Sequence, residues 1–166
     1  MRRSWTVCRQ ARRIAASGEL GEIKAVLGYG AKSCGGHCLD DMLYFVGDPN
    51  PVSIRAQLTK LCPCEGDTTN MRFQDDPPLE MACVQFDNGT TLHQVNVPIR
   101  AEYEIICERG LIRTQNDQET LYVRKSDGGT NSNDPFQVDP VEHFSGTERK
   151  IRELVESIRT GKPDIS

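Results

Sequence analysis

The stretch LEMACVQFDNGTTLHQVNVP, residues 79–98, decides the fold. Asn88-Gly89 supplies the two positive-φ residues of a type I′ turn, which predicts a β-hairpin with a two-residue loop. That loop sets Asp87 against Thr90, Phe86 against Thr91, Gln85 against Leu92 and Val84 against His93. Strand side chains alternate, so Phe86, Val84, Ala82, Val95 and Val97 gather on one face, with His93 among them. This is the expected core face, and His93 is expected there as a hydrogen-bonded core histidine. The opposite face carries Met81, Cys83, Gln85, Leu92, Gln94 and Asn96. It is too polar for a core and too apolar for bare surface.

Downstream of the hairpin, strands are expected over Ala101–Glu108, Leu111–Gln115 and Glu119–Lys125, followed by a solvated loop over Ser126–Asp134. A closing helix, Phe144–Thr160, places Ile151, Leu154, Val155 and Ile158 on one stripe. Upstream, Cys62–Pro78 is polar and rich in Pro, Asp and Thr, so it reads as a surface loop, and Asp75-Asp76 reads as loop chemistry. Val52–Leu61 and Glu22–Tyr29 read as strands. Between them Leu39, Met42, Leu43 and Val46 recur at i, i+3, i+4 and i+7, the spacing of a core-facing helix closed by Gly47 and Pro49. A first helix, Arg3–Ser17, carries Val7, Ala11, Ile14 and Ala15 on one stripe and stops at Gly18. The order of elements predicts an α+β fold: an open, mostly antiparallel sheet with helices packed on one face.

Composition sets the outer limits. The chain has 166 residues, 37% of them hydrophobic, and a net charge of −4. That length supports one compact domain, residues 1–166. Net negative charge argues against nucleic acid as a partner, because phosphate neutralisation needs clustered positive charge. No apolar run is long enough to span a membrane. Seven cysteines without a secretory signal point to a reducing compartment, and a cytoplasmic location is expected. Arg2, Arg3, Arg9, Arg12 and Arg13 precede the first acid, Glu19. They admit two readings, a mitochondrial presequence or the polar side of the amphipathic first helix.

Taken together, ASGELGEIKAVLGYG, GGHCLDDMLYFVGDP, FDNGTTLH, ICERGLI and the closing RTGKPDIS, in that order, resemble the glucose–fructose oxidoreductase / inositol dehydrogenase (Gfo/Idh/MocA) family. The similarity is to its C-terminal, substrate-side domain, of the dihydrodipicolinate-reductase-like type. The resemblance implies an NAD(P)-dependent oxidoreductase acting on sugars or polyols. The family's Rossmann domain is not expected in this chain: no G-x-G-x-x-G follows a strand, and the family's Glu-Lys-Pro is missing. Relative to the family the sequence looks shortened at both ends. No cofactor-binding residue is therefore assigned here, NAD or NADP being implied only for a full-length member. The chain alone is not expected to be catalytic, and a separate Rossmann-domain chain is an implied possible partner. His37 matches the family's catalytic histidine and Asp40 the acid after it, while Ser33 stands where the family has Asp. The resemblance also implies homo-oligomer contacts through the sheet face of Met81, Cys83, Gln85, Leu92, Gln94 and Asn96. The alternative is a non-catalytic dimerisation or small-ligand-binding module that kept the sheet and lost the chemistry.

Rival readings attach to the same residues. Cys34, His37, Cys38, Cys62 and Cys64 are five soft ligands, yet Cys-x3-Cys and Cys-x-Cys are not the usual C-x2-C zinc knuckles, so no metal is assigned. Without C-x-x-C, a thioredoxin-like role is weaker still. Cys8, Cys83 and Cys107 are expected to pack within their elements, and His143 to be solvated. Asp40 and Asp41 have a second reading as acids that favour the helix dipole.

Overall fold

The computed structural model describes residues 2–30, 35–58, 79–115, 120–127, 130–131 and 146–162. A one-turn 3-10 helix, Arg2–Ser4, leads into α1, Thr6–Ala16. The helix starts later than its periodicity suggests because Trp5 is extended. Val7, Cys8, Ala11 and Ala15 are buried and Ile14 packs beside them, so the arginines fall off the buried stripe, as the amphipathic-helix reading requires. Gly18 carries a φ of +75° just past the helix end.

The strands are β1, Ile23–Gly30, β2, Pro51–Leu58, β3, Leu79–Phe86, β4, Thr91–Asn96, β5, Glu102–Cys107, β6, Gly110–Gln115, β7, Thr120–Asp127, and the two-residue β8, Thr130–Asn131. Their order in the sheet is β2-β3-β4-β1-β5-β6-β7-β8. Every neighbouring pair is antiparallel except β1 and β4, which run parallel at the centre. The expected mostly antiparallel sheet is thus present, with β7 and β8 extending into a stretch expected as loop. Helix α2, Gly35–Val46, lies across β1 and contacts α1, and both helices cover the same face. Beneath them Val26, Phe45, Tyr103, Ile105, Ile112 and Leu121 form the centre of the core.

The hairpin forms, but its register differs by one residue from the expectation. Val84 pairs with Leu92, Cys83 with His93 and Gln85 with Thr91. The Phe86 N–H donates to the Thr90 carbonyl at 3.0 Å, which leaves Asp87-Asn88-Gly89 as a three-residue loop. Only Gly89, at φ +82°, has a positive φ there, the pattern of a type I turn ending in a left-handed residue. A one-residue change reverses every side chain of one strand. Leu92 and Gln94 therefore join Ala82, Val84 and Phe86 on the buried side, 1% and 4% exposed. His93 and Val95 move to the opposite side with Met81 and Cys83, so His93 is half-buried there rather than in the core. Two contacts fix this register: Leu92 sits beside Val26 across the parallel pair, and the Thr90 hydroxyl donates to the Ile23 carbonyl at 3.0 Å. The face expected to unite Met81, Cys83, Gln85, Leu92, Gln94 and Asn96 is accordingly split between the two sides.

Helix α2 also turns a different face inward. Cys38, Asp41, Met42 and Phe45 are buried, while Leu39, Leu43 and Val46 are only partly so. The apolar spacing selected the flank of the buried stripe because an aspartate occupies its centre. At the far end α3, Gly146–Thr160, inverts the usual arrangement. Its polar side meets the N-terminal segment, with Arg149 Nη2 donating to Thr6 Oγ1 at 3.0 Å and Arg9 paired to Glu153. Its expected core stripe is outward, Ile151, Leu154, Val155 and Ile158 being 56–74% exposed.

Candidate functional site

The site is built where β1 ends and α2 begins. Gly30, the last residue of β1, is packed so closely by the helix that a Cβ there would lie 2.4 Å from Cys38 Sγ. Two residues earlier, a Cβ at Gly28 would lie 2.4 Å from Met42 Sδ. Glycine at these positions lets α2 lie directly on the strand, with its N-terminal turn over the ends of β1 and β4. His37 belongs to that turn and is exposed, whereas Cys38 beside it is fully buried.

Asp40 lies one helical turn beyond His37, on the same side of α2. The structure shows no hydrogen bond between them. Asp40 is instead gripped by Arg3: Nη2 donates to Oδ1 at 2.6 Å and Nε to Oδ2 at 3.0 Å. Arg3 also donates to both carboxylate oxygens of Asp48, at 3.0 and 3.1 Å, and stacks 5.4 Å from the centroid of the Tyr44 ring. The hydrogen bond to Asp40 is the chief reason the Arg3 guanidinium is pushed above its ordinary pKa; burial opposes this and Asp48 adds to it. Arg3 therefore ties the start of the chain to the middle of α2 and to the turn just past its end. Sequence reading missed it, placing it only among the N-terminal arginines, because its partners lie 37 and 45 residues away.

Beneath this surface cluster lies a buried one. Asp41 is fully buried, and the Tyr103 hydroxyl donates to its Oδ2 at 2.7 Å. Desolvation first, and the Asp41 charge second, push Tyr103 far above the usual phenol value. Asp41 is thus a core anchor for α2 rather than a solvated acid at a helix start, and Asp40 is an ion-pair partner. His37 is exposed and pairs with no acid among the described residues, and an imidazole so placed can accept a proton from a group approaching from solvent. A cavity of about 540 Å3 opens at the other end of β1, beside Ile23 and Thr90, and His37 does not line it.

Ser33, Cys34, Cys62, Cys64 and His143 lie outside the described residues, as does the expected loop over Cys62–Pro78. Among the described residues no three His, Cys, Asp or Glu side chains converge as metal ligands, and no helix is long and apolar enough to cross a membrane. Cys8, Cys38 and Cys107 are buried and Cys83 is half-buried.

No family model matches the sequence, and no curated protein matches it. Solved structures do. The aldose–aldose oxidoreductase of Caulobacter crescentus, complexed with glycerol, superposes with a TM-score of 0.70 at 18% identity, over 98% of this chain and 53% of that one. An oxidoreductase from Agrobacterium radiobacter in complex with NAD+, L-tartaric acid and magnesium gives 0.61 at 14% identity, over 98% and 54%. The chain has the fold found in part of these oxidoreductases. A super-repressor mutant of Gal80p from Saccharomyces cerevisiae shares it too, with a TM-score of 0.65 at 14% identity, over 98% and 52%. The chain spans about half the length of each structure. At the level of fold this bears out the resemblance to a Gfo/Idh/MocA C-terminal domain.

Proposed function

We propose that this chain is the substrate-side and oligomer-forming part of an NAD(P)-dependent oxidoreductase of the Gfo/Idh/MocA type, acting on a sugar or polyol. The observation that carries the reading is the placement of His37. It is an exposed imidazole at the helix turn over the ends of β1 and β4, on a helix locked down by Arg3 and Tyr103. His37 takes the proton of the substrate hydroxyl, and the Arg3–Asp40 pair positions the helix that carries it. Among the described residues no doubly wound parallel sheet frames a pyrophosphate cradle, and the link from β1 to α2, residues 31–34, lies outside them. No hydride step is therefore assigned to these residues, and a cofactor domain acts with them.

The sheet side facing away from α1 and α2 is the proposed contact between copies. The corrected registers bring together Met81 and Cys83, His93 and Val95, Leu27 and Tyr29, Ile106 and Leu111, and Tyr122 on that side. These apolar residues share the side with the paired Glu104 and Arg113 and with Gln85, Glu102 and Arg124, a mixed surface of the kind found at subunit contacts. A second reading, a non-catalytic ligand-binding or dimerisation module, is favoured by Ser33 at the family's aspartate position.

Calorimetric titration with myo-inositol and glucose separates the two readings of the site. Saturable polyol binding that His37→Gln weakens supports the first; binding indifferent to His37→Gln, or none, overturns it. Saturable binding of NADH or NADPH to the chain overturns the assignment of the cofactor elsewhere. Light scattering tests the contact surface: a dimer that Ile106→Asp converts to monomer is expected, and a wild-type monomer at high concentration removes the interface.

A further inference from the structure

A second site stands apart from His37, in the cleft between α1 and α3. The cleft holds about 430 Å3, within the usual range of small-molecule pockets. Arg9, Arg12 and Arg13 line it from α1 and Arg149 from α3, with Gln10 and Thr6 between them. Glu153 is the acid found beside them, and it is already matched by Arg9 and by Lys150, the latter at 3.5 Å. Among the described residues no carboxylate pairs with Arg12, Arg13 or Arg149. Arg12 Nη1 is held by the Phe45 carbonyl at 3.2 Å and Arg149 Nη2 by Thr6 Oγ1 at 3.0 Å, so both guanidiniums are oriented while most of their donors stay unused. The cleft thus offers several oriented guanidinium donors that no carboxylate among the described residues neutralises.

We propose that this cleft binds the phosphate group of a small phosphorylated compound. Arg149 and Arg12 take the phosphate oxygens, since a planar guanidinium offers parallel donors to a tetrahedral dianion. Arg13 adds charge at the exposed side. The ligand is thus distinguished from a neutral polyol by the phosphate. The inference does not depend on the function proposed for His37.

The test is calorimetric titration of the full chain with glycerol 3-phosphate, inorganic phosphate, inorganic sulfate and glycerol at constant ionic strength. Glycerol 3-phosphate and inorganic phosphate are expected to bind saturably, with glycerol not binding. Arg149→Gln and Arg12→Gln are each expected to weaken that binding by about tenfold or more. Arg55→Gln, on the edge strand β2, is the control and leaves binding intact. If Arg149→Gln fails to fold, the exposed Arg13→Gln serves, with a smaller loss expected. Equal, non-saturable heats for all three anions overturn the proposal, as does binding that neither α1 arginine variant alters.

Discussion

Tyr103→Phe isolates a single buried hydrogen bond. The phenol donates to Asp41 Oδ2 at 2.7 Å between two fully buried side chains, while the ring packs edge-on against Phe45 with centroids 5.1 Å apart. Phenylalanine keeps the ring contact and removes the donor alone. Losing a partner of a buried carboxylate costs about 2 kcal/mol, which for a chain of this size lowers Tm by roughly 4–8 °C. The pH dependence is a sharper signature. Tyr103 is held far above its usual value near 10 by burial and by Asp41. In the unfolded chain it ionises above about pH 10, while in the folded chain it keeps its proton. Its contribution is complete below the unfolded value and is lost as pH rises toward the folded one, at about 1.4 kcal/mol per pH unit. The variant lacks this loss, so the stability gap between the two proteins narrows by that slope above about pH 10. Urea unfolding from about pH 7 to 11 measures both quantities. A variant within about 0.5 kcal/mol of wild type at pH 7, or a gap constant to pH 11, refutes the assignment of Asp41 and Tyr103 as the anchor of α2.

Three further outcomes follow from the packing. Gly110→Ala is expected to destabilise by about 2–3 kcal/mol in chemical denaturation, because the new Cβ would meet the Arg124 carbonyl oxygen at 2.4 Å and a backbone atom between paired strands cannot turn aside. Arg3→Met and Asp40→Asn should each lose about 1 kcal/mol, less at high salt since the pair is partly exposed, and the double variant should lose little more than either alone. Among Cys8, Cys38, Cys83 and Cys107, iodoacetamide should label Cys83 first in the native protein, with Cys107 slow because burial raises its thiol pKa. If the open sheet side joins two copies, Cys83 labelling should also slow as protein concentration rises, which mass spectrometry of the labelled peptides measures.

What was legible in the sequence was whatever a local pattern determines. The alternation around Asn88-Gly89 identified a hairpin, and the apolar spacing in residues 39–46 identified a helix. Register and facing were a different matter, because they are settled by contacts far along the chain. The same Asn-Gly supports a two-residue or a three-residue loop, and the choice rests on β1, where Ile23 receives the Thr90 hydroxyl and Val26 lies beside Leu92. Helix α2 shows the same limit from the opposite direction. An apolar template skips Asp41, yet Asp41 occupies the centre of the buried stripe because Tyr103, 62 residues on, meets its charge in the core. A motif singled out His37 and Asp40, and it could not show that Asp40 is held by Arg3. A polar residue is placed inward when a distant partner satisfies it, and hydropathy patterning carries no record of that partner. The outward stripe of α3 is the converse case. Its periodicity is real, and its direction was decided by Arg9 and Thr6 capturing the polar side of the helix through Glu153 and Arg149. Periodicity therefore tells which residues share a face, and only the charged partners of the opposite face tell which way that face looks.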